Sequence, residues 1–305
     1  MIPRYFTAAA IVIIFISVFL LPKSSLKISI FDIPVKQIKA NNPLEVNPLP
    51  VANFNYQNPQ GITARSAIVI DSKTGVTLFE KNATLKHLPA STTKLMTALI
   101  SLEKCSTDTI ITIGEFEKEG TQMGLSTGDQ ITVENLLYGL LINSGNDAAT
   151  ALVTGCAQSP NNFTASMNQK AEDLKMKDTH FTNPTGFDDD PQYSTAEDLA
   201  KLANVAISNP LISKIVKVKS TVVTDFTGNK TYYLENINEL LGIIDGLEGV
   251  KTGQTEGSLE NLITKTTRNG NSVIVVVLGS EDRFTETQNL IEWAFNSYDW
   301  VNPSR

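Results

Sequence analysis

The spacing of apolar residues changes several times along the chain. Two short apolar runs, 66–70 and 76–80, flank a polar stretch that ends in Gly75, and this pattern predicts a β-hairpin. Apolar residues then recur three and four positions apart, which predicts helices over 93–102, 133–141, 147–153, 163–174 and 196–207. Runs rich in β-branched residues follow and predict strands over 216–224, 230–234, 249–253, 262–267 and 272–279.

The last regular segment, 283–298, returns to helical spacing and places Leu290, Ile291 and Ala294 on one apolar face. The order of elements is therefore strands, a block of helices, strands and a final helix. This order favours a mixed α/β fold in which both chain ends form one antiparallel sheet and a helical lobe is inserted between them.

The first 22 residues differ from the rest of the chain. Arg4 precedes an almost wholly apolar run over 5–21, which predicts an export signal. The run is long for a cleaved signal peptide and short for a membrane span, so both readings stay open, and we favour an uncleaved anchor in the cell membrane. Residues 23–60 are rich in Pro, Asn and Gln and predict a flexible spacer, which leaves 61–305 as the folded domain.

Composition narrows the class of protein. A chain of 305 residues with 41% hydrophobic content can bury a substantial core. Its formal net charge of -7, with no run of Lys or Arg, argues against a nucleic-acid surface. Two cysteines do not make a disulfide framework, and two histidines lack zinc-type spacing, so we expect neither a metal nor another cofactor.

Three short motifs carry the candidate chemistry, and they occur in the order Ser91-Thr92-Thr93-Lys94, Ser144-Gly145-Asn146 and Lys251-Thr252-Gly253. Each motif alone is weak, because it also fits a plain helix cap or turn. Similar triplets or quartets begin at Ser24, Lys73, Ser159 and Ser166. The order and context of the three motifs must therefore support the interpretation.

The residue types suit nucleophilic catalysis. Ser91 and Lys94 lie one helical turn apart on the same face, and a lysine half-buried on an apolar helix has a lowered pKa that suits a base. Ser144-Gly145-Asn146 falls at a turn between two helices, where a hydroxyl and an amide can serve a proton path and a peptide substrate. Lys251-Thr252-Gly253 begins a strand, where the glycine admits a substrate backbone along the sheet edge.

From about residue 66 to 295 the chain resembles the D-alanyl-D-alanine carboxypeptidases among the low-molecular-weight penicillin-binding proteins. Besides the three motifs, the resemblance rests on the stretches 71–82, 123–125, 136–149, 183–186, 194–200 and 277–279. It implies a β-lactamase/transpeptidase-like fold and a serine-type hydrolase in the cell wall. The implied partners are the D-Ala-D-Ala end of a peptidoglycan stem peptide as substrate and β-lactam antibiotics as inhibitors.

The resemblance also implies roles for individual residues. Ser91 would be the acylated nucleophile and Lys94 its general base, while Ser144 and Lys251 would pass a proton to the departing amine. The remaining implied roles are substrate positioning by Asn146 and Gly253, an oxyanion hole formed by the backbone N–H groups of Ser91 and Gln254, and binding of the terminal carboxylate by Thr252 and Arg283.

The sequence departs from the family pattern at two positions. Gln254 stands where an aromatic residue or histidine is common, and Gln192 stands where a histidine is common, which leaves the packing beside the substrate open. A disulfide between Cys105 and Cys156, which each follow a motif helix, also stays open.

We therefore expect an exported, membrane-anchored D-Ala-D-Ala carboxypeptidase that acts on the outer side of the bacterial membrane. The alternatives are a D,D-endopeptidase or transpeptidase, a β-lactamase, and a non-catalytic protein that binds the cell wall.

Overall fold

A computed structural model describes residues 47–157 and 159–303. The strands are, in chain order, β1 (Leu49–Ala52), β2 (Ser66–Asp71), β3 (Thr77–Lys81), β4 (Ile110–Thr112), β5 (Gln130–Thr132), β6 (Ser220–Thr224), β7 (Thr231–Glu235), β8 (Leu247–Thr255), β9 (Leu259–Arg268), β10 (Asn271–Ser280) and β11 (Tyr298–Val301). The helices are α1 (Lys94–Lys104), α2 (Val133–Leu141), α3 (Asn146–Cys156), α4 (Pro160–Asp173), α5 (Ala196–Ser208), α6 (Pro210–Val216) and α7 (Arg283–Ser297). A 3₁₀ turn, Ala90–Thr93, leads into α1.

The main sheet has five antiparallel strands in the order β3-β2-β10-β9-β8. It combines the hairpin near the start of the domain with three strands near its end, as the order of elements predicted. β8 lies at one edge of this sheet and carries Lys251, Thr252 and Gly253. The predicted fold class, a mixed α/β fold with a helical lobe inserted into an antiparallel sheet, is confirmed.

Two hydrophobic clusters cover the two faces of the sheet. Side chains alternate across a strand, and β10 sends Ile274, Val276 and Leu278 into the cluster of the helical lobe. It sends Val273, Val275 and Val277 into the cluster that includes Leu290, Ile291 and Ala294 of α7. The almost continuous apolar sequence of β10 is therefore explained by burial on both faces.

The helical lobe is built around α1, which contacts the four following helices, α2 to α5. Leu95, Met96 and Ile100 are fully buried in it. A disulfide joins Cys105, just after α1, to Cys156 at the end of α3, with their Cα atoms 5.5 Å apart. This answers the question that the sequence left open and ties the far ends of the two motif helices together.

Residues 49–56 belong to the fold, which places the predicted domain boundary at residue 61 too late. β1 pairs with β11 in antiparallel register, Leu49 opposite Val301. The Tyr56 ring lies edge-to-face against Trp293 and Tyr298, with ring centroids 5.9 and 5.8 Å apart. The prediction of a flexible spacer is therefore wrong for residues 49–56. Proline is uncommon in strands, so the sequence did not indicate the four-residue strand β1, whose partner β11 lies at the other end of the chain.

The predicted strand over 216–224 is also too long. Val216 ends helix α6, and the strand begins only at Ser220. Asn209 caps this helix through N–H bonds donated by Leu211 and Ile212, and Pro210 follows it in the first helical turn. The pair β4 and β5 was not predicted, because three-residue strands show no periodicity.

The N-terminal anchor predicted over 1–22 and the spacer residues before 47 lie outside the described residues. Within 47–157 and 159–303, no helix is long and apolar enough to cross a membrane.

The packing of Tyr56 predicts a measurable contribution to stability. We expect Tyr56→Ala to lower the free energy of unfolding by about 1–3 kcal/mol, because it removes two edge-to-face aromatic contacts and their buried area. Phe54→Ala is the matched control, since Phe54 is 97% exposed and its loss is expected to change stability by less than about 0.5 kcal/mol. Denaturant unfolding followed by tryptophan fluorescence measures both, and equal stabilities for the two variants would contradict the packing role.

Candidate active site

Ser91 and Lys94 are brought together where the 3₁₀ turn passes into α1. Lys94 Nζ donates to Ser91 Oγ at 2.8 Å and to the backbone oxygen of Thr185 at 2.6 Å. Lys94 is fully buried, whereas Ser91 is half-buried and reaches a cavity. A lysine amine in hydrogen-bond contact with a serine hydroxyl is the arrangement that proton removal from that serine requires.

Ser144 and Lys251 form a second pair, which connects the helical lobe to the sheet. Lys251 Nζ, on β8, donates to Ser144 Oγ at 3.0 Å and to the Thr252 backbone oxygen at 2.9 Å. Ser144 adopts a left-handed backbone conformation with φ of +60° in the turn before α3. Such a conformation is uncommon for a residue other than glycine and directs the Ser144 side chain toward the sheet.

Burial changes the pKa values of both lysines. Loss of hydration lowers the pKa of Lys94 well below its ordinary value, and the positive charge of Lys251 lowers it further, while the Asp147 carboxylate acts in the opposite direction. Burial, with a smaller effect from Arg283, lowers the pKa of Lys251 to about 7. Lys251 is therefore able to exchange a proton near neutral pH, and the lowered pKa of Lys94 favours its neutral form more than in an ordinary lysine.

The two pairs open onto a cavity of about 240 Å³. Its walls are formed by Ser91, Thr121, Ser144, Ile237, Thr252, Gly253, Gln254 and Arg283. Thr121 and Ile237 were not identified from the sequence, because each lies in a loop without a motif. Among the described residues, no group of three His, Cys, Asp or Glu side chains could hold a metal ion.

Gly253 makes the close approach of β8 to the 3₁₀ turn possible. A Cβ atom at Gly253 would lie 3.1 Å from the Ser91 backbone nitrogen and 3.1 Å from the Ala90 Cβ. The backbone of β8 therefore passes so close to Ser91 that no side chain fits at position 253. Gln254, the next residue, is exposed, and its backbone continues along the cavity wall.

Arg283, the first residue of α7, lies beside β8. Its Nη1 donates to the Gly253 backbone oxygen at 3.0 Å, and Arg283 is buried. Arg283 Nε donates to no group among the described residues. Burial lowers the pKa of the guanidinium from its ordinary value, yet arginine remains charged in proteins, so the cavity holds a fixed positive charge.

Asn146 lies beside the cavity and fixes the segment that carries Thr121, a residue of the cavity wall. Its side-chain amide donates to the Glu119 backbone oxygen at 3.0 Å, and its backbone N–H donates to the Thr121 backbone oxygen at 2.7 Å. Asp147 is buried next to it and accepts N–H bonds from Met123, Gly124 and Leu125. These bonds fix the loop that presents Thr121.

Gln192 replaces the expected histidine without leaving a gap in the hydrogen bonding. Its side-chain oxygen accepts from the backbone N–H groups of Thr182 and Asn183, and its amide donates to the Phe187 backbone oxygen at 2.8 Å. This loop carries Thr185, whose backbone oxygen accepts from Lys94. Gln192 therefore braces the loop that holds the buried lysine.

The family model and the similar proteins that match this chain carry the same description. Residues 53–282 match the Peptidase_S11 family, described as D-alanyl-D-alanine carboxypeptidase. The D-alanyl-D-alanine carboxypeptidase DacF of Bacillus subtilis (strain 168) is 33% identical over 247 residues, which cover 77% of this chain and 63% of DacF. DacC of Escherichia coli (strain K12), with the same description, is 35% identical over 79% of this chain and 64% of DacC.

The chain thus spans less than two thirds of the length of these two relatives. The crystal structure of the Streptomyces K15 DD-transpeptidase superposes with a TM-score of 0.73 at 31% identity and covers 79% of this chain and 100% of that one. Because the family model matches most of the chain and the solved fold is the same, the chain belongs to the D-alanyl-D-alanine carboxypeptidase family.

Proposed function

We propose that the protein is a serine-type D-Ala-D-Ala carboxypeptidase that removes the terminal D-alanine from peptidoglycan stem peptides. The observation that carries the proposal is the 2.8 Å hydrogen bond from the fully buried Lys94 amine to Ser91 Oγ. A buried amine is poorly solvated as an ammonium ion, so its neutral form can accept the serine proton.

The acylation step follows from this pair. Ser91 Oγ attacks the carbonyl carbon of the penultimate D-alanine, and its proton moves to Lys94. The backbone N–H groups of Ser91 and Gln254 stabilise the oxyanion, where one such donor is worth about 10²–10³ in rate. The C–N bond then breaks and leaves an ester on Ser91.

The leaving amine needs a proton. Ser144 Oγ is 3.0 Å from Lys251 Nζ, and Ser144, Ser91 and Thr252 border the same cavity. The Ser144–Lys251 pair passes a proton to the nitrogen of the departing D-alanine, and the lowered pKa of Lys251, about 7, suits that transfer. Water then hydrolyses the ester and restores Ser91.

Arg283 and Thr252 bind the terminal carboxylate of the substrate. A buried guanidinium is a strong partner for a carboxylate, and Thr252 adds a hydroxyl on the same wall. Asn146 positions the substrate through the wall that it holds, and Gly253 leaves space for the peptide backbone. This chemistry requires no cofactor.

The site of action is the outer side of the bacterial membrane. The apolar run over 5–21 supports export and attachment through residues 1–22, and a cystine in the fold suits an oxidising compartment. β-Lactams acylate Ser91 in place of the D-Ala-D-Ala peptide and inhibit the enzyme.

Transpeptidation is the second candidate, because the similar K15 structure is named a DD-transpeptidase. The two reactions share the acyl-enzyme and differ in whether water or an amine releases it. Analysis of the acyl product with and without an added amine acceptor separates them, since an amide product forms only in transpeptidation. A β-lactamase would instead release the β-lactam adduct rapidly.

Substitution of the nucleophile tests the whole scheme. We expect Ser91→Ala to lower D-alanine release from a tripeptide ending in Lys-D-Ala-D-Ala by about 10⁴-fold or more and to abolish labelling by a fluorescent β-lactam. Ser24→Ala is the matched control, because Ser24 begins another S-x-x-K quartet, and it is expected to label normally. A labelled Ser91→Ala protein would contradict the assignment, and a folded wild type without turnover would favour a wall-binding protein.

The pH dependence of acylation tests the role of Lys94. Only neutral Lys94 accepts the serine proton, so the acylation rate is expected to fall as the pH is lowered through the pKa of Lys94. Lys251→Met removes a positive charge that lowers this pKa. The pKa of Lys94 then rises, and the falling limb of the profile moves to higher pH.

The control for this profile is Lys73→Met, which alters the other K-T-G triplet on the exposed hairpin turn and is expected to leave the limb in place. Stopped-flow acylation by a β-lactam at a series of pH values measures both variants relative to their own maxima. A limb that moves to lower pH in Lys251→Met would be inconsistent with the proposed electrostatics.

Arg283→Gln tests the requirement for a free C-terminus. We expect kcat/KM for a peptide with a free carboxylate to fall about 10²-fold, which is the scale for losing one partner of a buried charge pair. The preference over the C-terminally amidated peptide should largely disappear. Arg268→Gln is the control, because Arg268 pairs with Glu292 on α7, away from the cavity. An unchanged preference in Arg283→Gln would contradict carboxylate binding by Arg283, and a wild type without the preference would favour an endopeptidase.

A further inference from the structure

The hairpin of β6 and β7 has one buried face and one exposed face. Val223, Tyr232 and Leu234 point inward and are buried in the hydrophobic cluster of the helical lobe. The outward residues are Ser220, Val222, Thr224, Thr231, Tyr233 and Glu235, which we call the hairpin face. In register, Val222 lies opposite Tyr233, with Thr224 opposite Thr231 on one side and Ser220 opposite Glu235 on the other.

The centre of the hairpin face is unusually apolar for a solvent-exposed position. Tyr233 is 80% exposed and Val222 is 48% exposed, and Phe226 in the turn beyond them is 59% exposed. A sheet that packs on one face normally presents polar side chains on the other. An exposed aromatic and aliphatic pair between hydroxyl groups therefore indicates a binding surface.

The hairpin is held firmly in position. Its turn is attached to the helical lobe because the Phe226 N–H donates to the Gln130 backbone oxygen and the Asn135 amide donates to the Thr224 backbone oxygen. Tyr232 donates to Asp129 at 2.8 Å from the buried side. A surface fixed in this way binds a partner without a large ordering cost.

The hairpin face is close to the catalytic cavity along the chain. β7 ends at Glu235, and Ile237, two residues later, forms part of the cavity wall. At about 3.4 Å per residue, Tyr233 lies at most about 14 Å along the chain from Ile237. In a stem peptide, three residues separate the scissile carbonyl from the sugar-linked end, a span of about 10 Å when extended. The span of the stem peptide is therefore of the same order as the separation of Tyr233 from the cavity wall.

We infer that the hairpin face binds the glycan strand from which the stem peptide branches, an inference that rests on the proposed function. The Tyr233 ring packs against the apolar face of a sugar ring, and Val222 extends that contact. The flanking hydroxyls of Ser220, Thr224 and Thr231 suit a neutral chain of hydroxyl and N-acetyl groups. The single carboxylate, Glu235, lies at the end nearest the cavity. A glycan is favoured over a protein partner because the face has a small apolar centre and neutral polar sides and lies within four residues of Ile237 in the wall of the substrate site.

The test compares two substrates of the full-length protein in mild detergent. One is the free stem pentapeptide, and the other is the same pentapeptide attached to uncross-linked glycan strands. The measured quantity is the ratio of kcat/KM for the glycan-linked substrate to that for the free peptide. Tyr233→Ala is expected to lower this ratio about tenfold, whereas Tyr233→Phe, which keeps the ring, is expected to retain most of it.

Phe54→Ala is the matched control, because Phe54 is also an exposed aromatic but lies in the turn after β1. Its ratio is expected to equal that of the wild type. The inference is overturned by an unchanged ratio in Tyr233→Ala, by a wild-type ratio of one, or by a dimer that Tyr233→Ala disrupts.

Failure of the proposed function gives a different result, in which the wild-type protein releases D-alanine from neither substrate. Sedimentation of the protein with insoluble glycan strands then decides the inference. Weaker sedimentation of Tyr233→Ala than of Tyr233→Phe supports it, and equal sedimentation overturns it.

Discussion

The burial of the Lys94 amine is the constraint on which the rest of the site depends. A fully buried lysine is costly as an ammonium ion unless acceptors surround it, and among the described residues Lys94 Nζ has only a hydroxyl and one backbone oxygen as partners. That oxygen belongs to Thr185, whose loop is held in turn by Asn183 and Gln192. The shape of this loop keeps the Lys94 amine beside Ser91, in a buried position that lowers the pKa of Lys94.

The second pair depends on the relation between lobe and sheet. Ser144 comes from the helical lobe and Lys251 from the edge strand, 107 positions apart in sequence, and they meet at 3.0 Å. Each side is braced: Asp147 holds the loop beside Ser144, while Gly253 lets β8 pass close to Ser91. The disulfide between Cys105 and Cys156 joins the far ends of the helices that begin at Lys94 and Asn146. Small shifts between lobe and sheet would therefore separate Ser144 from Lys251.

Long periodic segments were predictable from the sequence, and short ones were not. The apolar run of β10 and the spacing of α1 follow from burial patterns that a single strand or helix carries within itself. β1 contains a proline in four residues and is stable only because β11 lies beside it. Likewise α6 begins at an Asn-Pro cap, but its seven residues are too few to show a period. Tertiary partners decided these elements.

The sequence by itself determined the order of the motifs, the residue types of the candidate site and the α/β architecture, because these depend on local spacing. Tertiary structure alone decided that Thr185 supplies the acceptor for Lys94, that Gln192 braces its loop, that Thr121 and Ile237 line the cavity and that the two cysteines pair. These contacts join residues distant in sequence, and their distances arise only when the packed core brings separate segments together.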